Sequence, residues 1–318
     1  EQGLTFTELG ADREAFFARE REEKLRDFGG DEISQIFARI EARQLAAHHA
    51  ASQERHQATR DIRVGIALMT REPHRFDWWL RYHRSLGIEH VYVHVEGSPD
   101  LLPLLQSDEF TTFVTVVTTD QHNESDGPCH RESNYFGLME RQERHVLRST
   151  QLAKQRGLDW LFHIDDDELL HFAVPMQTLV ASAPPGTTCL TLINAEAMPT
   201  AEAAACVFEE IDAFTLHRMV AYRNGKAAGA VQADARFSGP HRFTGPCWVA
   251  PVTKACVLHF ESCTYEAWRD KFLRHIQHCD DRKKADIPFA FYRDSITALQ
   301  NGTHGRQDDN EGQWRAFY

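Results

Sequence analysis

Apolar and polar positions divide the chain into stretches of different rhythm, and each rhythm predicts a different kind of element. In residues 12–60, Ile33, Ile36, Phe37 and Ile40 recur at helical spacing within a background of Glu, Arg, Ala and Gln, interrupted at Gly29-Gly30. This predicts an N-terminal helical extension over residues 1–60, built of two helices that pack on the main body or on a second copy of the chain. From Ile62 the pattern alternates. An apolar run at 62–69 reads as a strand stopped before Pro73, which cannot donate to a sheet ladder. A helix follows over about 74–86, with Phe76, Trp79, Leu80 and His83 on one face and Gly87 in the expected terminating position. A strand at 90–95, a short helix at 101–106 and a β-branched strand at 111–117 complete a βαβαβ series. Such alternation predicts a parallel sheet with helices on both faces, the frame of a nucleotide-binding half.

A polar segment at 118–130 leads to a long helix over 134–156, stopped by Gly157. The next strand runs straight into acids: Trp160-Leu161-Phe162-His163-Ile164-Asp165-Asp166-Asp167-Glu168. An apolar run of this kind fits a strand buried on both faces, and in open α/β sheets ligands gather at the carboxyl ends of such strands. Beyond it the rhythm shortens to strands at 189–194, 214–223, 228–232 and 255–260, with Asn224-Gly225 as a hairpin signal and a helix over 265–279. The tail at 301–318 is polar and reads as a lid or as plain disorder. The expected organisation is therefore an extension (1–60), one α/β domain (61–300) divided at about residue 170, and a tail (301–318).

Four adjacent carboxylates repel one another, and a hard divalent cation explains their persistence. On an extended backbone Asp165 and Asp167 point one way while Asp166 and Glu168 point the other, so one pair can grip an ion. The plainer alternative is an acidic loop at the N-terminus of a following helix. His163 with Asp165 raises zinc chemistry, but no His or Cys pair stands at ligand spacing to complete such a site.

Composition narrows the partners. The chain has 318 residues, 42% hydrophobic and 26% charged, with a formal net charge of −12. That balance excludes a general nucleic-acid binder, which needs a basic footprint. No stretch approaches the roughly 20 apolar residues of a membrane span, so no transmembrane segment is expected. Seven cysteines without a CxxC pair favour a reducing, cytoplasmic setting over a disulfide framework.

An ordered set of motifs goes further. Thr70-Arg71-Glu72, Trp78-Trp79-Leu80-Arg81-Tyr82-His83, Leu86-Gly87-Ile88, the acid-tipped strand, Gly225-Lys226, His241-Arg242-Phe243, Leu258-His259-Phe260, Trp268 and Lys271-Phe272 follow one another over residues 62–275. In this the chain resembles GT-A glycosyltransferases, specifically family 92 and the related family 2-like group. Family sequences usually carry Lys-Asn-Glu where this chain has Thr70-Arg71-Glu72. The resemblance implies a donor-binding half (61–170), an acceptor half (171–300) and a metal-dependent transfer from a nucleotide-diphosphate sugar, UDP-linked, to a hydroxyl of a glycan or glycoconjugate, with inversion. It implies Mn2+ or Mg2+ as cofactor, held by Asp165, Asp167 and His259. Thr70, Glu72, Asp165, Asp166, Lys226, His241, Arg242 and Lys271 are the candidate donor contacts. Glu196, Glu261 and, more weakly, Asp234 are the candidate bases for the acceptor proton. A homo-oligomer through the N-terminal helices and, for a eukaryotic relative, a membrane-associated Golgi setting are further expectations. Two alternatives stand beside this one: a metal-dependent phosphohydrolase or nucleotidyltransferase, and a non-catalytic carbohydrate-binding protein of the same fold.

Overall fold

In a computed structural model, residues 4–5, 62–117, 135–198, 204–216, 221–222, 224–278 and 290–302 are described. The predicted helices of 12–60, the oligomer contact assigned to them, the polar segment 118–130 and most of the tail lie outside these residues. Ahead of the predicted helices, Leu4–Thr5 forms strand β1, paired antiparallel with Ala213 and Phe214.

The βαβαβ series is present. β2 (Val64–Thr70) leads through α1 (Phe76–Ser85) to β3 (His90–Val95), then through α2 (Leu102–Leu105) to β4 (Val114–Val116). The long helix α3 (Tyr135–Arg156) precedes β5 (Trp160–His163), and β6 (Glu168–Phe172) follows the acids, so the acids end in a strand and not in a helix. After α4 (Met176–Ala181), β7 (Cys189–Leu192) and β8 (Asn194–Ala197) divide what the pattern presents as one strand. They belong to different sheets, and Ile193 between them hands the chain across by accepting from Val257 N at 2.9 Å. α5 (Val207–Glu210), β9 (Ala213–Thr215), β10 (Lys226–Ala230), β11 (Cys247–Val249), β12 (Ala255–His259), α6 (Tyr265–His278) and α7 (Ala290–Gly302) complete the described elements.

The seven-stranded sheet has the order β11-β7-β10-β5-β2-β3-β4, with β5, β2, β3 and β4 mutually parallel. The five-stranded sheet has the order β1-β9-β8-β12-β6. This is the expected α/β architecture, a half with parallel strands joined to a mixed half. Register fixes the geometry of the acid tip. Ala67 stands opposite His163, so Thr70 emerges level with Asp166, while antiparallel β10 sets Ala227 opposite His163 and brings Lys226 to the same end.

Period-2 alternation sorts the large sheet's side chains between two cores. Ile66, Leu68, Val91, Val93 and Phe162 face α1 and the five-stranded sheet; Ala67, Tyr92, Leu161 and Ala227 face α3 through Val146 and Ala153. The predicted face of α1 is the buried one: Phe76, Trp79, Leu80 and His83. It also bonds to β6. Trp79 Nε1 donates to Glu168 O (2.7 Å), Tyr82 hydroxyl to Leu170 O (3.0 Å), and His83 Nε2 accepts from Leu170 N at 3.2 Å. Helices α6 and α7 form a separate apolar cluster around Trp268, Phe272, Phe291, Ile296 and Leu299.

The Asn224-Gly225 turn does not close the predicted hairpin. β9 pairs with β8 and β1, whereas β10 pairs with β5 and β7. Gly225 is nevertheless required: its φ is 65°, and a Cβ there would lie 2.1 Å from Leu192 O. Among the described residues, no helix is long and apolar enough to cross a membrane.

Candidate functional site

The three aspartates form the connection between β5 of one sheet and β6 of the other, and each is held by a different element. Asp165 Oδ2 lies 2.5 Å from Lys226 Nζ at the start of β10. Asp166 Oδ2 accepts from Thr70 Oγ1 at the end of β2, 2.5 Å away. Asp167 Oδ2 lies 3.6 Å from His259 Nε2 at the end of β12. Backbone ties set the turn: Asp165 N donates to Glu168 Oε2 (2.7 Å), and Phe260 N donates to Asp167 O (2.8 Å).

Around this turn the interior is charged and closely paired. Lys226, whose side chain is only 1% exposed, also lies 3.2 Å from Glu168 Oε2, and the Tyr222 hydroxyl donates to Glu168 Oε1. His259 Nδ1 is 2.7 Å from Glu196 Oε2, and Glu196 Oε1 accepts from Asn194 Nδ2 at 2.5 Å. Glu261 accepts from Lys271, from the Tyr292 hydroxyl (3.0 Å) and from Ser262 Oγ (2.6 Å), which draws α6 and α7 onto the site.

Electrostatics separates the acids. Burial pushes the Asp166 carboxyl up to about 7, helped by the neighbouring Asp167. Burial likewise pushes Glu168 up to about 7 against the pull of Lys226. For Asp167 burial is overcome by His259, and the carboxyl is held well below the usual range. His259 is raised well above its ordinary value, because Glu196 and Asp167 outweigh burial. In Lys226 burial is again overcome, here by Asp165 and Glu168, which keep the ammonium charged.

Donor atoms of Asp167, His259 and Glu261 all lie within 4.8 Å of one another, an arrangement that could hold a divalent ion. This set fits the expected cofactor chemically, with two carboxylates and one imidazole at a half-exposed mouth. It differs from the expected ligands in one member. Asp165 is turned to Lys226, and Glu261 takes the third place. Because His259 and Glu261 stand two residues apart at a strand end, period-2 alternation was the signal for that pairing.

Other expected residues are placed as follows. Lys226 is enclosed among carboxylates and acts as an internal counter-cation, so it does not reach outward to a diphosphate. Lys271, with 30% of its side chain exposed, does stand at the mouth. His241 Nδ1 donates to Gly225 O (2.7 Å) and its ring lies 4.7 Å from that of Tyr222, at the same end of β10; Arg242 beside it is exposed. Glu72 is 70% exposed, in a left-handed conformation (φ 49°), and 3.7 Å from Arg274 of α6. Two expected bases are corrected. Asp234 lies beyond the other end of β10, 75% exposed and paired with Lys154 at 2.5 Å, and Glu196 is enclosed with both oxygens bonded. Tyr222 and Tyr292 join the site without a sequence signal, since their partners Glu168 and Glu261 are 54 and 31 residues away along the chain, whereas Asn194 and Ser262 bond to near neighbours in sequence, Glu196 and Glu261.

No known family profile matches the chain. A protein of Arabidopsis thaliana described as glycosyltransferase-like is 24% identical over 261 residues, covering 68% of this chain and 56% of that protein. A second Arabidopsis thaliana protein, described in the same words, is 22% identical over 255 residues, covering 67% and 49%. The chain thus spans about half the length of these relatives. Among solved structures, a 4-diphosphocytidyl-2C-methyl-D-erythritol synthase from Anaerococcus prevotii aligns over 68% of this chain and 96% of its own, with 6% identity and a TM-score of 0.34.

Proposed function

We propose that the chain is a metal-dependent glycosyltransferase of the family 92 and family 2-like kind, moving a sugar from a UDP-linked donor to a hydroxyl of a glycan or glycoconjugate with inversion. The names of the two plant relatives support glycosyl transfer in general. The observation that carries the finer reading is the convergence of Asp167, His259 and Glu261 within 4.8 Å just beyond the carboxyl end of β5, next to the parallel pair β2 and β5.

Each side chain then has a task. Asp167, His259 and Glu261 hold Mn2+ or Mg2+. When bound, that ion offsets the negative charge developing on the diphosphate as the sugar departs. Lys271 adds a fixed positive charge at the mouth. Thr70 and Asp166, bonded to each other at the strand ends, lie on the side where the nucleotide would bind. Lys226 keeps Asp165 and Glu168 from repelling the turn apart, so the acid tip keeps its shape between turnovers. With Glu261 assigned to the ion, the acceptor proton goes to a group other than Glu196, Glu261 and Asp234.

Thermal-shift measurements with UDP, GDP and CMP sugars, each with and without Mn2+, test this reading. Stabilisation by a UDP-sugar that depends on Mn2+ is expected, followed by transfer to a glycan acceptor panel. Stabilisation with release of UMP and sugar 1-phosphate would favour the phosphohydrolase alternative. No Mn2+-dependent stabilisation by any nucleotide would refute the reading.

A further inference from the structure

Glu196 is enclosed, 2% exposed, and sits on β8 in direct register with His259 on neighbouring β12. Parallel pairing sets the two side chains side by side, and Glu196 Oε2 lies 2.7 Å from His259 Nδ1. The second carboxylate oxygen is also fixed, because Asn194 Nδ2 donates to Oε1 at 2.5 Å and to Tyr222 O at 2.8 Å. The Tyr222 ring in turn lies 5.1 Å from that of His259, tilted by 53°. The imidazole therefore has one nitrogen facing inward, toward a carboxylate that cannot swing away. The other, Nε2, faces Asp167 at 3.6 Å and Glu261 at 3.9 Å.

We propose that Glu196 is a positioning residue: it holds the His259 proton at Nδ1 and fixes the ring plane, so that the Nε2 lone pair is presented to a divalent cation shared with Asp167 and Glu261. The inference rests on the metal reading above and adds a residue that never touches the ion. The chemistry is that of a carboxylate behind a metal-bound histidine, where the outer partner sets the tautomer and raises the basicity of the ligating nitrogen. No bond is made or broken; the proton stays on Nδ1 throughout. Asn194 belongs to the same device one step further back, since its amide keeps Glu196 from rotating.

The test is a double-mutant cycle on Mn2+ binding, read from the free-Mn2+ EPR signal with the full chain, in the presence and absence of UDP. Glu196→Gln is expected to weaken Mn2+ binding roughly 10–100-fold, the usual effect of removing an outer partner. In a His259→Ala background the same change is expected to alter binding less than about 2-fold, because a residue acting through His259 has nothing left to position. A merely structural role would weaken binding equally in both backgrounds, and that result overturns the inference. So does unchanged Mn2+ affinity in Glu196→Gln. If wild-type protein binds no Mn2+, the metal reading itself fails, a result seen before any variant is made. Should Glu196→Gln not fold, Glu196→Asp keeps the charge but withdraws it from Nδ1, and the same outcomes decide.

Discussion

Lys226 Nζ lies 2.5 Å from Asp165 Oδ2, with the lysine almost wholly enclosed and Glu168 at 3.2 Å on its other side. Removing one partner of a buried ion pair leaves the others uncompensated. Lys226→Met is accordingly expected to destabilise the metal-free protein by about 3 kcal/mol in urea unfolding. Asp165→Asn, which leaves Glu168 to the lysine, is expected to cost less. A neutral Lys226→Met would remove the lysine from the account of the acid tip.

Asp166 and Asp167 have separate holders, and their loss is expected to have separate effects. Asp167→Ala should abolish Mn2+-dependent stabilisation by UDP, since it removes one of three clustered donors. Asp166→Ala, which breaks the bond from Thr70, should reduce it less. Isothermal titration with Mn2+ and UDP ranks the two, and the reverse ranking would move the ion to the Thr70 side.

Raised carboxyl groups give a definite pH dependence. Asp166 and Glu168 are both pushed up to about 7, from ordinary values of 3.8 and 4.5. A group with a raised folded value favours the folded state fully below its unfolded value, and that preference is lost as pH rises through the folded one. The thermal midpoint of metal-free protein should therefore fall as pH is raised through about 7, and Asp166→Asn should flatten the fall. Parallel profiles for the two proteins would contradict this.

Gly225 offers a test of shape rather than charge. Its φ of 65° and the 2.1 Å approach of a Cβ to Leu192 O leave no room for alanine. Gly225→Ala should cost at least about 1 kcal/mol of stability. It should also weaken Mn2+-dependent UDP binding, because Lys226 follows directly and His241 bonds to the Gly225 carbonyl. Retained stability and binding would show that the turn can relax.

Local patterns were legible in the sequence wherever one element's own burial wrote them. The face of α1, the runs of β2 and β5 and the stop at Gly157 needed only periodicity and terminators. What escaped was pairing at long range. Asn224-Gly225 looks like a hairpin, yet β10 takes its partners from residues 160–163 and 189–192. The apolar run through Ile193 gives no sign that it changes sheets, because both halves are buried. At the site, Asp167 and His259 stand out by residue type and position, whereas the choice of Glu261 over Asp165 depended on where Lys226 lands. Glu196 was read as a candidate base, whereas its place beside His259 follows from the register of β8 on β12.

Only four residues, 164–167, carry the chain from β5 to β6, and both ends of that step are bonded in place. The step is too short to serve as a hinge. The two sheets are thus clamped to each other at the very point where a substrate would sit, and traffic through the site falls to whatever surrounds it. Structures with and without nucleotide should superimpose closely over β5, β6, β10 and β12, with any displacement confined to the loop after β2 and to α6 and α7. On that expectation the turn serves as an anvil, not as one of a pair of closing halves.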